Sequence, residues 1–113
     1  MTRKNALTTA PPYAVEQTLK RLGANLRTAR LRRNQTIVEV AEKIGTGPRA
    51  IMDAEKGRPG ASAAVYVALL WAYDLLGQMS EVANPAHDDE GLALTASRKR
   101  ARAPVKGNLS NDF

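Results

Sequence analysis

Residues 36–57 constrain the fold of this chain more than any other stretch, because they predict two short helices joined by a tight turn. Thr36 and Glu39 have the spacing of a capping box, in which each side chain satisfies a free N–H group of the first turn. Gly45 ends the first helix, since glycine readily takes the left-handed conformation found there. Pro48 begins the second helix, because proline is tolerated in a first helical turn.

The second helix carries Ile51 and Ala54 on one face and polar residues on the others. Two helices of about eight residues, joined by a turn that contains glycine, have the spacing of a helix-turn-helix motif, whose second helix enters the major groove of DNA. An ordinary helical hairpin inside a small bundle would show the same spacing. The pattern therefore favours DNA binding and leaves the hairpin as the alternative.

The formal charge of +6 is divided unevenly along the chain. The net charges are +2 for residues 1–20, +5 for 21–60, −5 for 61–97 and +4 for 98–113, and residues 61–97 contain no lysine or arginine. This division predicts a basic surface for a polyanion and a separate acidic surface for another partner. Charges that only keep the protein in solution would explain the total but not the division.

Length and composition exclude several classes of protein. A chain of 113 residues has room for one small domain with tails, and the absence of cysteine excludes disulfides and thiolate metal sites. No apolar run is long enough to span a membrane, and the N-terminus has no signal-peptide pattern, so we expect a cytoplasmic protein. His87 and the three acids after it lie in a loop-like stretch without a second ligand cluster, so we predict no metal site.

A longer helix is predicted before the hairpin, beginning between Tyr13 and Thr18 and ending at about Arg33. Its apolar side is formed by Leu19, Leu22, Leu26 and Ala29, at spacings of three and four. Arg30 lies one turn beyond Leu26, close to this apolar side, and a buried guanidinium group needs a carboxylate partner. We predict a structural ion pair between Arg30 and Glu55, at the end of the hairpin's second helix.

The helix predicted over residues 62–76 is apolar on two sides. The stripe that the hairpin can cover consists of Tyr66, Leu69, Leu70, Tyr73 and Leu76. A second face, for a twin subunit or another partner, consists of Val67, Trp71 and Leu75, continued by Met79 and Val82. A tail folded back over this second face is the alternative.

Three regions follow from these patterns. We expect residues 1–14 to be a disordered tail, residues 15–83 to be the helical DNA-binding and dimerisation domain, and residues 84–113 to be an acidic turn with a basic, mostly disordered tail. The basic residues of that tail could hold phosphates without sequence preference or lie along an acidic partner. No cofactor is expected.

Residues 22–76 resemble the lambda-repressor-like, Xre-type helix-turn-helix family, through LGANLRTARLRR, TIVEVAEKIG and PRAIMDAEKG. The resemblance implies an all-α, compact bundle of about five helices with flexible tails, in which helices two and three form the motif. Three positions depart from the family pattern. Ile37 stands where a phosphate-binding glutamine is frequent, Gly47 replaces a serine-like cap, and Ala54 replaces a larger apolar residue.

Residues 57–102 are similar to the C-terminal half of small HipB-like antitoxins, which are encoded beside HipA-type serine/threonine kinase toxins. The motifs that carry this similarity are GRPGAS, LLWAYDLL, NPAHDDEGLAL and the arginine-rich end. It implies a homodimer that binds a palindromic operator in double-stranded DNA, represses its own operon, and binds and neutralises a HipA-like kinase. A stand-alone repressor without a toxin partner is the alternative.

The family pattern also assigns roles to individual residues. Arg49, at the front of the second hairpin helix, is the base reader, because its guanidinium group can bond guanine in a bidentate manner. The base-facing positions are Thr46, Gly47, Pro48, Arg49, Met52 and Asp53. The residues expected to contact phosphates are Arg32, Arg33, Thr36, Lys56 and Arg58.

Catalysis is the least favoured function. The sequence has no recognisable pairing of a nucleophile with a base, no metal cluster and no glycine-rich phosphate loop. A helix-turn-helix that no longer binds DNA and acts only as an adaptor stays open, because Ile37 and Gly47 depart from the family pattern.

Overall fold

The computed structural model describes residues 5–102. Its longest helix has an apolar residue at every third or fourth position along one side. This helix is α2, Tyr13–Arg32. The others are α1 (Ala6–Thr9), α3 (Ile37–Ile44), α4 (Pro48–Glu55), α5 (Ala63–Ala72) and α6 (Asp89–Ala101), with 3₁₀ helices at Leu76–Glu81 and Pro85–His87. These residues form no β-strand, and the predicted all-α fold is confirmed.

The helix α4 is held from three sides, because it packs against α2, α3 and α5. The most completely buried side chains of the shared core are Leu26, Val40, Ile51, Leu69 and Tyr73. Full burial of such a side chain stabilises the fold by about 1.5–3 kcal/mol relative to exposure. The packing of α4 against these three helices therefore sets its orientation.

The helix α5 ends earlier than the sequence predicts. Asp74 takes a left-handed conformation with φ 64°, and the N–H of Leu75 donates to the carbonyl oxygen of Leu70 at 2.8 Å. The helical spacing is lost at that point. Leu75 consequently packs against the core instead of extending the second apolar face, and Leu76, assigned to the buried stripe, is 39% exposed.

Two segments predicted as disordered are partly helical. Within residues 5–14, α1 forms because the side chain of Asn5 accepts a hydrogen bond from a backbone N–H of its first turn at 3.0 Å. The helix α6 forms because Asp88 caps it in the same way at 2.9 Å, and because acids in its first turn and bases in its last turn complement the helix dipole. Residues 1–4 and 103–113, the outer parts of both predicted tails, lie outside the described residues.

The chain divides into two units, with the boundary between Met79 and Ser80 rather than between residues 83 and 84. The first unit contains α1 to α5. In the second unit, α6 packs against the 3₁₀ helix Pro85–His87. No helix within residues 5–102 has the length and apolar character needed to cross a membrane.

Candidate nucleic-acid interface

The hairpin α3–α4 is formed by the local features that the sequence predicts. The N–H of Thr36 donates to the Glu39 carboxylate at 2.8 Å, and the N–H of Glu39 donates to the Thr36 hydroxyl at 3.1 Å. Gly45 ends α3 with φ 83°, and its N–H donates to the carbonyl oxygen of Ala41 at 2.9 Å. Pro48 is the first residue of α4. A turn of three residues therefore joins two helices of eight residues each.

The helix α4 has one buried and one exposed face. Ile51 and Ala54 are completely buried, with 0% exposure, whereas the side chain of Arg49 is 83% exposed. Met52 and Asp53, one turn further on, are partly exposed. A helix held rigidly by its inner face can present such an outer face to the major groove of DNA, which is about 12 Å wide.

The start of α4 offers backbone rather than side-chain contacts. Gly47 is the N-cap and provides no side-chain hydrogen bond, while Pro48 has no N–H group. Both residues are exposed, and Thr46 before them is partly buried. Arg49 is therefore the first residue of α4 with a charged side chain that can reach a base or a phosphate.

A carboxylate and two guanidinium groups form a charge cluster on α4 and the turn that follows it. The Oδ1 atom of Asp53 lies 3.2 Å from Nε of Arg58 and 4.0 Å from Nε of Arg49. Burial raises the pKa of the neighbouring Tyr66 phenol, and the charge of Asp53 raises that pKa further. Exposed ion pairs contribute about 0–1 kcal/mol to stability, so the main effect of Asp53 is to orient the guanidinium groups of Arg49 and Arg58.

The residues expected to contact phosphates differ in how free they are. Arg32 and Lys56 are exposed, and Arg58 keeps 57% of its side chain exposed despite its pair with Asp53. Thr36 is exposed too, but its hydroxyl already accepts the N–H that closes the cap of α3.

Arg33, which is predicted to contact a phosphate, also makes contacts within the fold. Its guanidinium group donates to the carbonyl oxygens of Ala29 and Tyr73, at 2.9 Å each, and lies 5.4 Å from the centre of the Tyr73 ring. These contacts join the end of α2 to the end of α5. A phosphate contact by Arg33 would therefore compete with these hydrogen bonds.

Arg30 and Glu55 form the ion pair that the sequence suggests. Nε and Nη2 of Arg30 donate to the two carboxylate oxygens of Glu55 at 2.7 and 2.9 Å, and Nη1 donates to the carbonyl oxygen of Gln35 at 3.0 Å. The hydrogen bond with Glu55 raises the pKa of Arg30 above its ordinary value, against the opposing effect of burial. The pair fastens the last residue of α4 to α2.

Two glycines, Gly23 and Gly57, also position α4. A Cβ atom on Gly23 would lie 2.5 Å from the carbonyl oxygen of Ala54, and one on Gly57 would lie 2.5 Å from that of Leu19. The backbones of α2 and the end of α4 thus approach each other closely. The available signal was Gly23 itself, since a glycine inside a helical pattern often marks a close backbone contact.

Most of the predicted partner face is exposed. Val67, Trp71 and Met79 are 37%, 53% and 36% exposed, and Lys43 Nζ lies 5.7 Å from the centre of the Trp71 ring. Val82 is 62% exposed and belongs to the second unit. Leu75 is only partly exposed, because it packs against the core.

The second unit contains the stretch with His87 and its acidic neighbours. The Nδ1 atom of His87 lies 3.0 Å from a carboxylate oxygen of Glu81, beside an open cavity of about 420 Å³ lined by Glu81, Ala83, Asn84, His87 and Asp88. In the part of the chain that the structure describes, no three His, Cys, Asp or Glu side chains converge on a possible metal position.

Comparison with known proteins agrees with this geometry. A sequence model of a helix-turn-helix domain family matches residues 21–82, which is more than half of the 113-residue chain and includes the whole of α3 and α4. No curated protein and no solved structure gives a significant match. The chain belongs to the helix-turn-helix domain family, and its hairpin α3–α4 lies within the matched residues.

Proposed function

We propose that this protein is a sequence-specific transcriptional repressor that binds double-stranded DNA through α4. The observation that carries the proposal is the division of α4 into a face buried by the core and a face that presents Arg49 with 83% of its side chain exposed. The inner face fixes the angle of the helix, and the outer face can meet base edges.

Base reading and backbone contact fall to different residues in this proposal. Arg49 reads guanine through two parallel hydrogen bonds, with Met52 and Asp53 one turn further along the groove. The exposed basic side chains of Arg32, Lys56 and Arg58 contact phosphates. These contacts fix the register of the helix without reading sequence.

The test separates these two kinds of contact. A duplex is first selected from random sequences by the wild-type protein, and its affinity is compared with that of a scrambled duplex. Arg49→Ala should weaken binding to the selected duplex by about 1–3 kcal/mol and relax specificity at one base pair. Lys56→Ala, the control at the opposite end of α4, should weaken both duplexes alike and reduce the slope of log K against log salt by about 0.9. Equal losses on both duplexes for Arg49→Ala would contradict base reading.

We further propose that the repressor acts as a homodimer on a palindrome. Support comes from the exposed apolar side chains of Val67 and Trp71, because monomeric proteins seldom leave such residues uncovered side by side. In a two-fold dimer, the two α4 helices would occupy half-sites about 34–36 Å apart. Trp71→Ser should shift the sedimentation coefficient from dimer to monomer, with Leu92→Ser in the second unit as the control. A wild-type protein that sediments as a monomer at micromolar concentration would refute the dimer.

The finer proposal is that this repressor is also an antitoxin that neutralises a HipA-type serine/threonine kinase. It rests on the similarity of residues 57–102 to HipB-like proteins and on the net charge of −5 over residues 61–97. Tagged protein is purified from its host and its companions are identified by mass spectrometry. A stoichiometric kinase supports the antitoxin role. A protein that binds its own promoter and purifies without a partner is instead a stand-alone repressor.

A further inference from the structure

The last turn of α6 and the Arg102 cap that follows it concentrate positive charge that the helix-turn-helix does not use. Arg98, Lys99, Arg100 and Arg102 are exposed, and none of them pairs with a carboxylate within 4.0 Å among residues 5–102. The acids of α6 lie in its first turn. From Glu90 to Arg98 the helix rises by about 12 Å, which exceeds the Debye length of about 8 Å at physiological ionic strength. The two ends of α6 therefore act as separate charges.

The arrangement of α6 fits a polyanion better than a folded protein partner. At about 100° per residue, the three basic side chains of the last turn cover roughly 200° of the helix surface, and Arg102 follows as the C-cap. Leu92 and Leu94 are 53% and 62% exposed and lie on different sides of the helix, so α6 has no continuous apolar stripe. Docking on a protein groove would use such a stripe, whereas contact with phosphates needs only accessible charge.

We propose that the C-terminal end of α6 is a second DNA-binding element, which holds phosphates and adds affinity without sequence preference. The inference rests on the proposed function, because the helix-turn-helix brings α6 to the DNA. A tethered second site experiences an effective concentration of up to about millimolar, so weak contacts are sufficient.

The magnitude follows from the charge distribution. The four basic side chains point in different directions around the helix axis, so about half of them can reach phosphates at one time. Two contacts contribute about 1.8 to the slope of log K against log salt. At about 0.1 M salt, their loss should weaken binding roughly 50- to 100-fold, equally on any duplex.

The experiment uses the full chain and the quadruple variant R98Q/K99Q/R100Q/R102Q, since glutamine keeps a high helix propensity. The matched control is R98K/R100K/R102K, which keeps the charge. Affinity is measured from 50 to 300 mM salt on the selected duplex and on a scrambled duplex of equal length. Circular dichroism at 222 nm verifies that helix content is kept.

We expect the glutamine variant to lose slope and affinity on both duplexes with an unchanged ratio between them, and the lysine control to behave as wild type. An unchanged slope of log K against log salt in the glutamine variant overturns the inference. Loss of binding to polyglutamate instead of DNA also overturns it, because that result would assign α6 to acidic proteins. Absence of any sequence preference in the wild-type chain refutes the proposed function instead. If the glutamine variant then still has a smaller slope of log K against log salt than the wild type, α6 is upheld as a DNA-binding element.

Discussion

The buried pair of Arg30 and Glu55 predicts a large and specific loss of stability when one partner is neutralised. The side chains are only 8% and 6% exposed, and three nitrogen atoms of the guanidinium group are hydrogen-bonded at 2.7–3.0 Å. Replacement of Glu55 by glutamine keeps the shape of the side chain but leaves the charge of Arg30 without its counter-charge. The arginine cannot escape by losing its proton, because a guanidinium group stays protonated in proteins.

Breaking a buried ion pair by removing one partner costs about 3–5 kcal/mol. A domain of about 70 residues has a free energy of unfolding of roughly 4–10 kcal/mol. Glu55→Gln should therefore remove about half of the stability of the first unit, and DNA binding should fail at a lower temperature than in the wild type. The double variant R30M/E55L replaces both charges by apolar groups, and it should lie within about 1 kcal/mol of the wild type or above it.

Urea unfolding followed by circular dichroism at 222 nm gives both free energies, and the single variants Arg30→Met and Glu55→Leu complete the double-mutant cycle of R30M/E55L. The exposed pair of Lys20 and Glu16, with a 3.7 Å separation, provides the control. Glu16→Gln should change stability by less than about 0.5 kcal/mol. A loss below about 1 kcal/mol for Glu55→Gln, or a double variant no more stable than the single one, would refute the reasoning.

Three further variants test the contacts around α4 and the core. Asp53→Asn releases Arg49 and Arg58, so we expect stronger binding to a scrambled duplex, by up to about 1 kcal/mol, and a smaller ratio of selected to scrambled affinity. Gly23→Ala places a Cβ atom 2.5 Å from the Ala54 carbonyl oxygen. It should cost about 1–3 kcal/mol or more in urea unfolding, whereas Gly60→Ala, which meets nothing within 4 Å, should stay within about 0.5 kcal/mol. Tyr73→Phe removes a buried hydroxyl that has no hydrogen-bond partner among residues 5–102, so we expect stability to rise by about 1 kcal/mol. Burial raises the pKa of Tyr73, so above the unfolded pKa of about 10 this phenol ionises in the unfolded chain but stays neutral in the folded one, and the wild type loses stability until the pH passes the folded pKa. The free energies of unfolding of Tyr73→Phe and the wild type should therefore differ more at pH 11 than at pH 7. An equal difference at both pH values would contradict this account.

The hairpin could be predicted from sequence because its determinants are local. The capping box of Thr36 and Glu39, the left-handed Gly45 and the initial Pro48 each act within four residues of their partners. The pair of Arg30 and Glu55 was accessible for a related reason. A charge placed on an apolar stripe requires a counter-charge, and few carboxylates occur near enough to the core to supply it.

The remaining features depend on contacts that no short stretch contains. Arg33 resembles a free basic side chain at a helix end, yet it bonds the carbonyl oxygen of Tyr73, forty positions later. Asp74 ends α5 in a left-handed conformation that is uncommon outside glycine, within a stretch that reads as continuous helix. The helices α1 and α6 depend on single side-chain caps, whose effect of about 1 kcal/mol decides between order and disorder in short segments.

Gly23 and Gly57 show why the orientation of α4 could not be predicted although its existence could. A glycine inside a helix costs about 1 kcal/mol in helix propensity, and nothing beside Gly23 in the sequence compensates for it. The compensation is tertiary, since Gly23 lies against the carbonyl oxygens at the end of α4 while Gly57 lies against α2 at Leu19. These two backbone contacts and the ion pair of Arg30 with Glu55 all act on the C-terminal end of α4. That end is therefore fixed to α2, which leaves the opposite end, with Arg49, as the part of the helix free to enter DNA.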